Sequence, residues 1–569
     1  MNSHTFDCCG LALRLKVVIC SLALGLVGQA VWAQATCTAT DSAVTEVNPG
    51  DPDALAADCA ALLELMDTLR GTGALNWANT LSMASWDGVT LASDGNRVTA
   101  IDLRSRSLTG SIPGFSALTN LTRLELGSNA LTGSILSEHF PASLETLALQ
   151  DNELTGSIPD LSALTNLQTL HLHKNELTGN IPDLSELTNL EVLWLHENEL
   201  TGSIPDLSAL TSLQELALEK NRLTGSLPDL SGLTDFTELW LYSNELTGSI
   251  VAEHFPAGIE RIEINDNELT GSIPDLSAFS SLTRLLLNDN KLSGSIPDLS
   301  ALTSLTALWL HRNELTGSIV AEHLPASVQQ LILSSNELTG SIPDLSTLTS
   351  VTHLWLHENE LTGSIPDLSA LSSLLSFRAL RNELTGNIPT TLGTPPLQDL
   401  HLAWNSLTGG IPGELDDLTG LGSLSLCGND FDASATLPAA LETRRSENSM
   451  TVWSCLQIAD AEGSEGATLT FDLTHSTFPV RGGDSLTLGY GTEDGTALST
   501  DYAPGTGSVT VPAVGATETE ATAEIQVATL TDGFTEGDET FTVTLSLPDG
   551  RPVLARRGFA EGTIRDVPP

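Results

Sequence analysis

A 23-residue repeat constrains the fold of this chain more than any other feature of its sequence. Asparagine recurs at an unbroken step of 23 residues from Asn129 to Asn405, and Asn429 follows one residue late. The residues around each asparagine follow the pattern L-x-x-L-x-L-x-x-N-x-L-T-G-x-I-P, and about fifteen such units fit between residues 98 and 430. A period of this length predicts a solenoid, in which each unit buries the apolar edge of its neighbour.

Each unit is expected to contain a short strand followed by a structural asparagine. The two leucines of L-x-L point inward because side chains alternate across a strand, and strands of stacked units pair about 4.8 Å apart. The asparagine is expected to satisfy buried backbone groups of adjacent turns. Over residues 98–430 the pattern resembles the leucine-rich repeat family, specifically its plant-type subclass with the L-T-G-x-I-P signature. The resemblance implies an α/β-type, right-handed, mostly parallel β solenoid.

The segments on either side of the repeats resemble the end caps of that family. Residues 36–97 are similar to the N-terminal cap of plant-type repeat receptors, and residues 431–456 are similar to a C-terminal cap. Four cysteines lie in or beside these segments, and an even number in an exported chain predicts disulfides. Of the three possible pairings, the local one joins Cys37 to Cys59 and Cys427 to Cys455.

The N-terminus has the features of a secretory signal peptide over residues 1–35. Arg14 and Lys16 precede an apolar run over residues 17–28, and small residues follow before a cleavage position near Ala33 or Ala35. No other apolar run reaches the roughly 18 residues that a membrane span needs. We therefore expect a mature chain without a membrane span that is secreted or held at the cell surface.

The charge balance limits the partners of such an exported chain. The sequence has 72 acidic and 23 basic residues, which gives a formal net charge of −49. A surface of this sign repels nucleic acid and anionic lipid, so neither is an expected partner. Cations, basic proteins and neutral glycans fit the charge better.

After the repeats, residues 457–569 alternate polar and apolar residues in short runs separated by turns, which predicts an all-β sandwich. The stretches YGTEDGTALSTDYAPGTGSVTV and LTDGFTEGDETFTVTLS resemble the Calx-beta domain. The resemblance implies Ca²⁺ binding by loop carboxylates, a ligand type that this cation prefers. Thr531 and Gly533 stand where the family commonly has further acids, which removes ligands. The matching positions for calcium are Glu465, Asp501, Asp532, Glu536 and Asp566.

The concave face of the solenoid is the expected binding surface, because its outward strand positions carry no structural role. These positions lie six, four, two and one residues before each asparagine, and tryptophan, tyrosine and histidine recur there. Such residues anchor many binding patches. The predicted ligand-binding residues are His171, His173, Trp194, His196, Trp240, Tyr242, Trp309, His311, Trp355, His357 and His401.

Two other interpretations of these side chains are open. The tryptophans could be copied with the repeat and stiffen the sheet, as the near-identical units around Trp309 and Trp355 suggest. Alternatively, His173, His196 and Glu219 hold equivalent positions on successive strands and could approach a metal ion.

The sequence favours a function in recognition over one in catalysis. It contains no phosphate-binding glycine loop with a lysine, no G-x-S-x-G turn and no H-E-x-x-H motif. We therefore expect an exported, non-enzymatic recognition or adhesion protein that binds an extracellular protein or glycan, with calcium bound by the last domain. The alternative is a matrix or cell-envelope component that calcium crosslinks without a discrete ligand.

Overall fold

A computed structural model describes most of the chain after the N-terminal segment. The described residues are 52–65, 70–71, 75–78, 81–95, 97–432, 434–447, 449–452, 454–464, 467–476, 486–494, 497, 506–511, 520–528, 539–546, 553–555 and 559–565. The predicted signal peptide and Cys37 lie outside them. In the described part of the chain, no helix is both long enough and apolar enough to cross a membrane.

The L-x-L segments form one sheet of 17 strands, called here the concave sheet. Apart from the antiparallel first pair, each strand pairs in parallel with the strand one unit away, as Leu193 does with Leu216. In the three-residue strands of the repeats from Arg123 to Ser425 the central residue is a buried leucine, isoleucine or phenylalanine, whereas its neighbours point outward. The strands are Val89–Leu91, Val98–Asp102, Arg123–Glu125, Thr146–Ala148, Thr169–His171, Val192–Trp194, Glu215–Ala217, Glu238–Trp240, Arg261–Glu263, Arg284–Leu286, Ala307–Trp309, Gln330–Ile332, His353–Trp355, Ser376–Arg378, Asp399–His401, Ser423–Ser425 and Thr451–Val452.

The L-T-G segments form the flanking sheets, one of seven and one of eight strands. Their glycines have positive φ, and at Gly202, where φ is 76°, a Cβ would lie 2.4 Å from Asn180 Oδ1. The first sheet contains Arg70–Gly71, Leu108–Ser111, Ala130–Gly133, Glu153–Ser157, Glu176–Asn180, Glu199–Ser203 and Arg222–Thr224. The second contains Thr270–Ser272, Lys291–Gly294, Glu314–Ser318, Glu337–Ser341, Glu360–Gly363, Glu383–Asn387, Ser406–Gly409 and Asp430–Phe431.

The repeated asparagines connect consecutive turns, which confirms their predicted structural role. Asn359 donates from Nδ2 to the carbonyl of Leu333 one turn earlier and to that of Leu356 in its own turn, each at 3.1 Å. Its Oδ1 accepts the Leu338 N–H at 3.0 Å. Asn129 and Asn405 bond in the same way. Each side chain therefore satisfies backbone groups of two turns that would otherwise be buried without partners.

Helices and short 3₁₀ segments complete the solenoid and its caps. Among the described residues, the α-helices are Pro52–Leu65 before the repeats and Ala439–Ser446 after them. Asp58 joins the first helix to the repeats, because its buried carboxylate pairs with Arg97 at 3.0 Å and accepts the Val98 N–H at 2.7 Å. The 3₁₀ helices are Met83–Ser85, Ser137–His139, Ala252–His254, Ala321–His323, Thr390–Gly393 and Gly413–Asp417.

Two cysteines of the predicted disulfides lie in the caps. Cys59 and Cys427 are fully buried, and both are disulfide-bonded. Cys37 and the side chain of Cys455 fall outside the described residues, so the local pairing stays a prediction.

The C-terminal region is a two-sheet β-sandwich around Phe471, Leu473, Leu488 and Val543. Its four-stranded sheet runs in the order Glu520–Ala528, Thr468–Ser476, Ser454–Ile458 and Val553–Ala555. Its five-stranded sheet runs in the order Ala461–Ser464, Phe559–Arg565, Glu539–Ser546, Leu486–Asp494 and Thr506–Val511. The structure thus confirms the predicted mostly parallel β solenoid followed by an all-β sandwich. The predicted calcium ligands Glu465, Asp501, Asp532, Glu536 and Asp566 lie outside the described residues.

Candidate functional site

Aromatic side chains of three neighbouring strands meet on the concave sheet. The His171 ring stacks on Trp194 with centroids 4.4 Å apart, and His173 stacks on His196 at 4.2 Å. His196 Nδ1 lies 3.7 Å from Glu219 Oε1 on the next turn. Parallel strands in register bring these side chains together, because equivalent positions of successive units lie one strand apart. We call His171, His173, Trp194, His196 and Glu219 the histidine–tryptophan cluster.

The cluster contains polar atoms that the protein itself leaves unsatisfied. Within the described residues, five of its buried atoms have no hydrogen-bond partner: His171 Nε2, His173 Nδ1, Trp194 Nε1, His196 Nδ1 and Glu219 Oε2. Buried donors and acceptors without partners are costly and uncommon in folded proteins. A concentration of them on one outward patch indicates a place where a ligand could supply the missing partners after a small rearrangement.

Burial also changes the charge state of the cluster. It lowers the pKa of His171 and of His173 to about 4, and it lowers the pKa of His196, an effect that the Glu197 carboxylate partly offsets. Burial raises the pKa of Glu219 to about 7. Near neutral pH the imidazoles are therefore uncharged, and Glu219 is divided between its neutral and ionised forms.

Further along the sheet, the predicted residues are more dispersed. Trp240 and Tyr242 lie on the strand and turn after Glu219, and burial raises the pKa of Tyr242. Trp309 contacts His311 with ring centroids 6.1 Å apart, and its indole donates to Gln330 at 3.1 Å. Trp309 thus already has a hydrogen-bond acceptor within the protein.

Trp355 belongs to an internal network that extends over the next units. Its indole donates to Ser376 at 2.9 Å, and the Arg378 guanidinium lies 4.3 Å from the ring centroid. Arg378 and Ser376 both contact Asp399, at 2.6 Å and 2.9 Å. Burial would raise the pKa of Asp399, but hydrogen bonds and charge interactions with His401 and Arg378 outweigh it, so the pKa is lowered. Asp399 is therefore ionised and holds the network together.

His401 lies at the end of this network and is only 6% exposed. Its Nε2 contacts Asp399 at 2.7 Å, and its Nδ1 contacts Ser425 at 2.8 Å. His357, beside Trp355, differs because its Nδ1 is buried without a partner among the described residues, and burial lowers its pKa to about 4. These contacts favour a structural role for His401 and leave His357 as a candidate for ligand contact.

The metal interpretation of the cluster is wrong. Among the described residues, no group of three histidine, cysteine or acidic side chains is arranged to hold a metal ion. The reason is the ring geometry: His173 and His196 stack nearly parallel, with 16° between their planes. Stacked imidazoles direct their nitrogen lone pairs within parallel planes, so the nitrogens do not converge on one point.

Ser376 and Asp399 are site residues that the sequence analysis did not select. Both lie six residues before an asparagine, at an outward strand position where neither side chain is aromatic. Ser376 accepts from Trp355, which lies one unit earlier at the next outward position, and donates to Asp399 one unit later. Pairs of outward positions that lie diagonally on adjacent units are therefore the signal that would have found Ser376.

The two folded regions match known families and known structures. Residues 165–209 match the model for leucine-rich repeats in two copies, and residues 479–567 match the model for the Calx-beta domain. The chain carries leucine-rich repeats followed by a Calx-beta domain. Among curated protein sequences, none matches it.

Two solved plant-type receptor structures are similar to the repeat region. The structure of a TDR receptor is 30% identical, with a TM-score of 0.57, and the match covers 62% of this chain and 62% of that one. The plant peptide hormone receptor RGFR1, solved in complex with RGF2, is 33% identical with a TM-score of 0.52, and 61% of this chain and 62% of that one are covered. The chain thus spans less than two thirds of either receptor chain, and the likeness concerns the repeats.

Proposed function

We propose that this leucine-rich repeat protein recognises an extracellular protein or glycan through its concave sheet, with the histidine–tryptophan cluster as the centre of contact. The observation that carries the proposal is the set of five buried polar atoms without partners in the cluster. By contrast, the indoles of Trp309 and Trp355 donate within the protein. A ligand gains most where it completes hydrogen bonds that the free protein lacks.

Three further points support a role in extracellular recognition. The first is the N-terminal sequence, whose charged start and apolar run are those of an export signal. The second is the similar plant peptide hormone receptor RGFR1, solved in complex with RGF2, which supports a protein ligand for a fold of this kind. The third is that leucine-rich repeat and Calx-beta families are typically recognition domains, which favours a non-enzymatic role.

The test is a ligand selection against the secreted chain, followed by tryptophan substitutions. A phage-displayed peptide library and a glycan array are each probed with the wild-type protein, and the binders are measured again with Trp194→Ala and with Trp355→Ala. Trp355→Ala is the matched control, because it also removes a concave tryptophan. Binding that falls at least about thirtyfold in Trp194→Ala, and much less in Trp355→Ala, is expected for a hot spot in the cluster. Equal losses would contradict the assigned centre, and an absence of binders in both selections would contradict recognition.

The calcium role of the Calx-beta domain is a separate proposal, which rests on the family and on the carboxylates that match it. Titration of Ca²⁺ into the full chain should release or absorb heat, and Asp532→Asn should abolish it. Asp472→Asn, which neutralises an exposed carboxylate within a sandwich strand, should leave the heat unchanged. Loss of heat in neither variant would contradict the proposed ligands. Light scattering that rises with Ca²⁺, without any selected ligand, would instead favour the matrix alternative.

A further inference from the structure

Trp404 breaks the repeat at a position where duplication does not explain it. It directly precedes Asn405, and the equivalent position of the other units holds serine, aspartate, glutamate, lysine, arginine or, at Gly428, glycine. The residue after Asn405 also departs from the pattern, because Ser406 stands where nine other units have glutamate. Thus one turn of the solenoid replaces two polar repeat residues by a large aromatic and by a small hydroxyl.

The backbone accommodates Trp404 at a conformational cost. Its φ is 59°, in the left-handed region, where a bulky side chain is an outlier. The following turn makes room for the ring, since a Cβ at Gly428 would lie 2.5 Å from Trp404 Cε3. The equivalent residues of the earlier units have the same positive φ, such as 53° at Arg312, so the backbone conformation belongs to the repeat and only the bulk of the side chain is particular to Trp404. Trp404 and Gly428 therefore form one local arrangement that differs from the other repeat units.

A groove of about 520 Å³ lies at this position, and we call it the Trp404 groove. Trp404 lines it together with Arg381, Glu383, Ser406 and Asp430. Glu383, Ser406 and Asp430 begin three successive strands of the flanking sheet and are exposed. Each strand begins opposite the third residue of the strand before it, since Ser406 pairs with Thr385 and Asp430 with Thr408. With strands about 4.8 Å apart and about 3.3 Å per residue, the three polar groups form a diagonal row about 16 Å long that lines the groove.

The charges of the groove limit the chemistry of an occupant. Arg381 forms an ion pair with Glu358, which leaves the carboxylates of Glu383 and Asp430 as the excess charge. Phosphorylated, sulfated or uronic acid ligands are therefore repelled. A diagonal row of acceptors about 16 Å long suits an extended ligand with several hydroxyl donors better than one with a single cationic head.

We propose that the Trp404 groove binds a neutral saccharide. The C–H groups of a sugar ring would pack on the indole, and its hydroxyls would donate to Glu383, Ser406 and Asp430. The volume lies within the range of ligand pockets, roughly 300–1,000 Å³, that combine an aromatic wall with a few polar groups. This site lies outside the histidine–tryptophan cluster, so the proposal does not depend on the function proposed above.

The experiment measures binding of neutral tetrasaccharides to the full chain by calorimetry. Cellotetraose, laminaritetraose, maltotetraose and chitotetraose are titrated singly, and a hit is measured again with Trp404→Asn and with Ser406→Glu. Asparagine tolerates the left-handed conformation, and glutamate is the usual repeat residue after the asparagine, so both variants should fold. Arg312→Asn is the matched control, because Arg312 holds the same position in another unit with a φ of 53°.

At least one tetrasaccharide is expected to bind the wild type, with little dependence on salt. Trp404→Asn and Ser406→Glu should each weaken it about thirtyfold or more, whereas Arg312→Asn should leave it within about twofold. Undiminished binding in Trp404→Asn overturns the proposal, as does the absence of binding by all four sugars. Binding that choline displaces and that salt abolishes also overturns it, because it would assign the groove to cations.

Discussion

Glu219→Gln should stabilise the protein above pH 7 and leave its stability nearly unchanged at about pH 4. The Glu219 residue is 8% exposed, and within the described part of the chain nothing bonds to its Oε2. Burial raises its pKa from 4.5 to about 7. The unfolded chain releases this proton as the pH rises through 4.5, whereas the folded chain holds it until about pH 7. The contribution of the Glu219 proton to the free energy of unfolding is therefore fully present below pH 4.5, and it is lost as the pH rises through 7.

The pKa difference sets the size of the effect. From 4.5 to about 7 the rise is about 2.5, and each pH unit between the two values is worth about 1.4 kcal/mol. The wild type thus loses up to about 3 kcal/mol of its free energy of unfolding over this interval. Glutamine has nearly the same shape and carries no ionisable proton, so the variant avoids the loss. The variant should be more stable than the wild type by up to about 3 kcal/mol at pH 8.

The assay is urea unfolding of both proteins at several pH values between about 4 and 8, with tryptophan fluorescence as the measure of unfolding. The difference between variant and wild type cancels every titration that the two share, including those of the neighbouring histidines where they are uncoupled. Glu176→Gln is the control: it removes an exposed carboxylate of the flanking sheet and should change stability by less than about 0.5 kcal/mol. Equal stabilities of variant and wild type at both pH 4 and pH 8, or a less stable variant at pH 8, would contradict the raised pKa of Glu219.

Two further predictions concern the scaffold. Asn359→Ala should lower the free energy of unfolding by about 2–5 kcal/mol, because the Leu338 N–H loses its acceptor and two bonds to carbonyls disappear. Hydrogen exchange at the Leu338 amide measures the loss locally. The control is Asn189→Ala, which removes one exposed hydrogen bond and should lower the free energy of unfolding by about 1 kcal/mol. Equal losses in the two variants would contradict the structural role of Asn359. Asp58→Ala should lower the free energy of unfolding by about 3–5 kcal/mol, because the partly buried Arg97 loses its carboxylate partner and the buried Val98 N–H loses its acceptor. Thermal unfolding measures the change, and a shift no larger than that of Glu176→Gln would count against this anchor.

The repeat made much of this fold predictable. The two-residue alternation of L-x-L determined which leucines are buried, and the 23-residue step determined which strands pair and in which register. The structural role of Asn359 could be predicted for the same reason, since a repeated polar residue in a buried turn needs repeated partners. The outward positions of Trp194 and Trp355 also followed from the alternation.

The sequence by itself therefore determined the solenoid, the sandwich and the set of side chains that face outward, because each follows from a short periodic pattern that acts within one unit and its neighbours. Which of those side chains have hydrogen-bond partners became clear only from the packing of adjacent turns. Trp194 and Trp355 occupy the same position of the repeat, yet the indole of Trp355 meets Ser376, whereas that of Trp194 meets no hydrogen-bond acceptor among the described residues. The difference depends on side-chain directions and on distances between adjacent turns. Both change with the residues that differ from unit to unit, and the 23-residue period does not specify those residues.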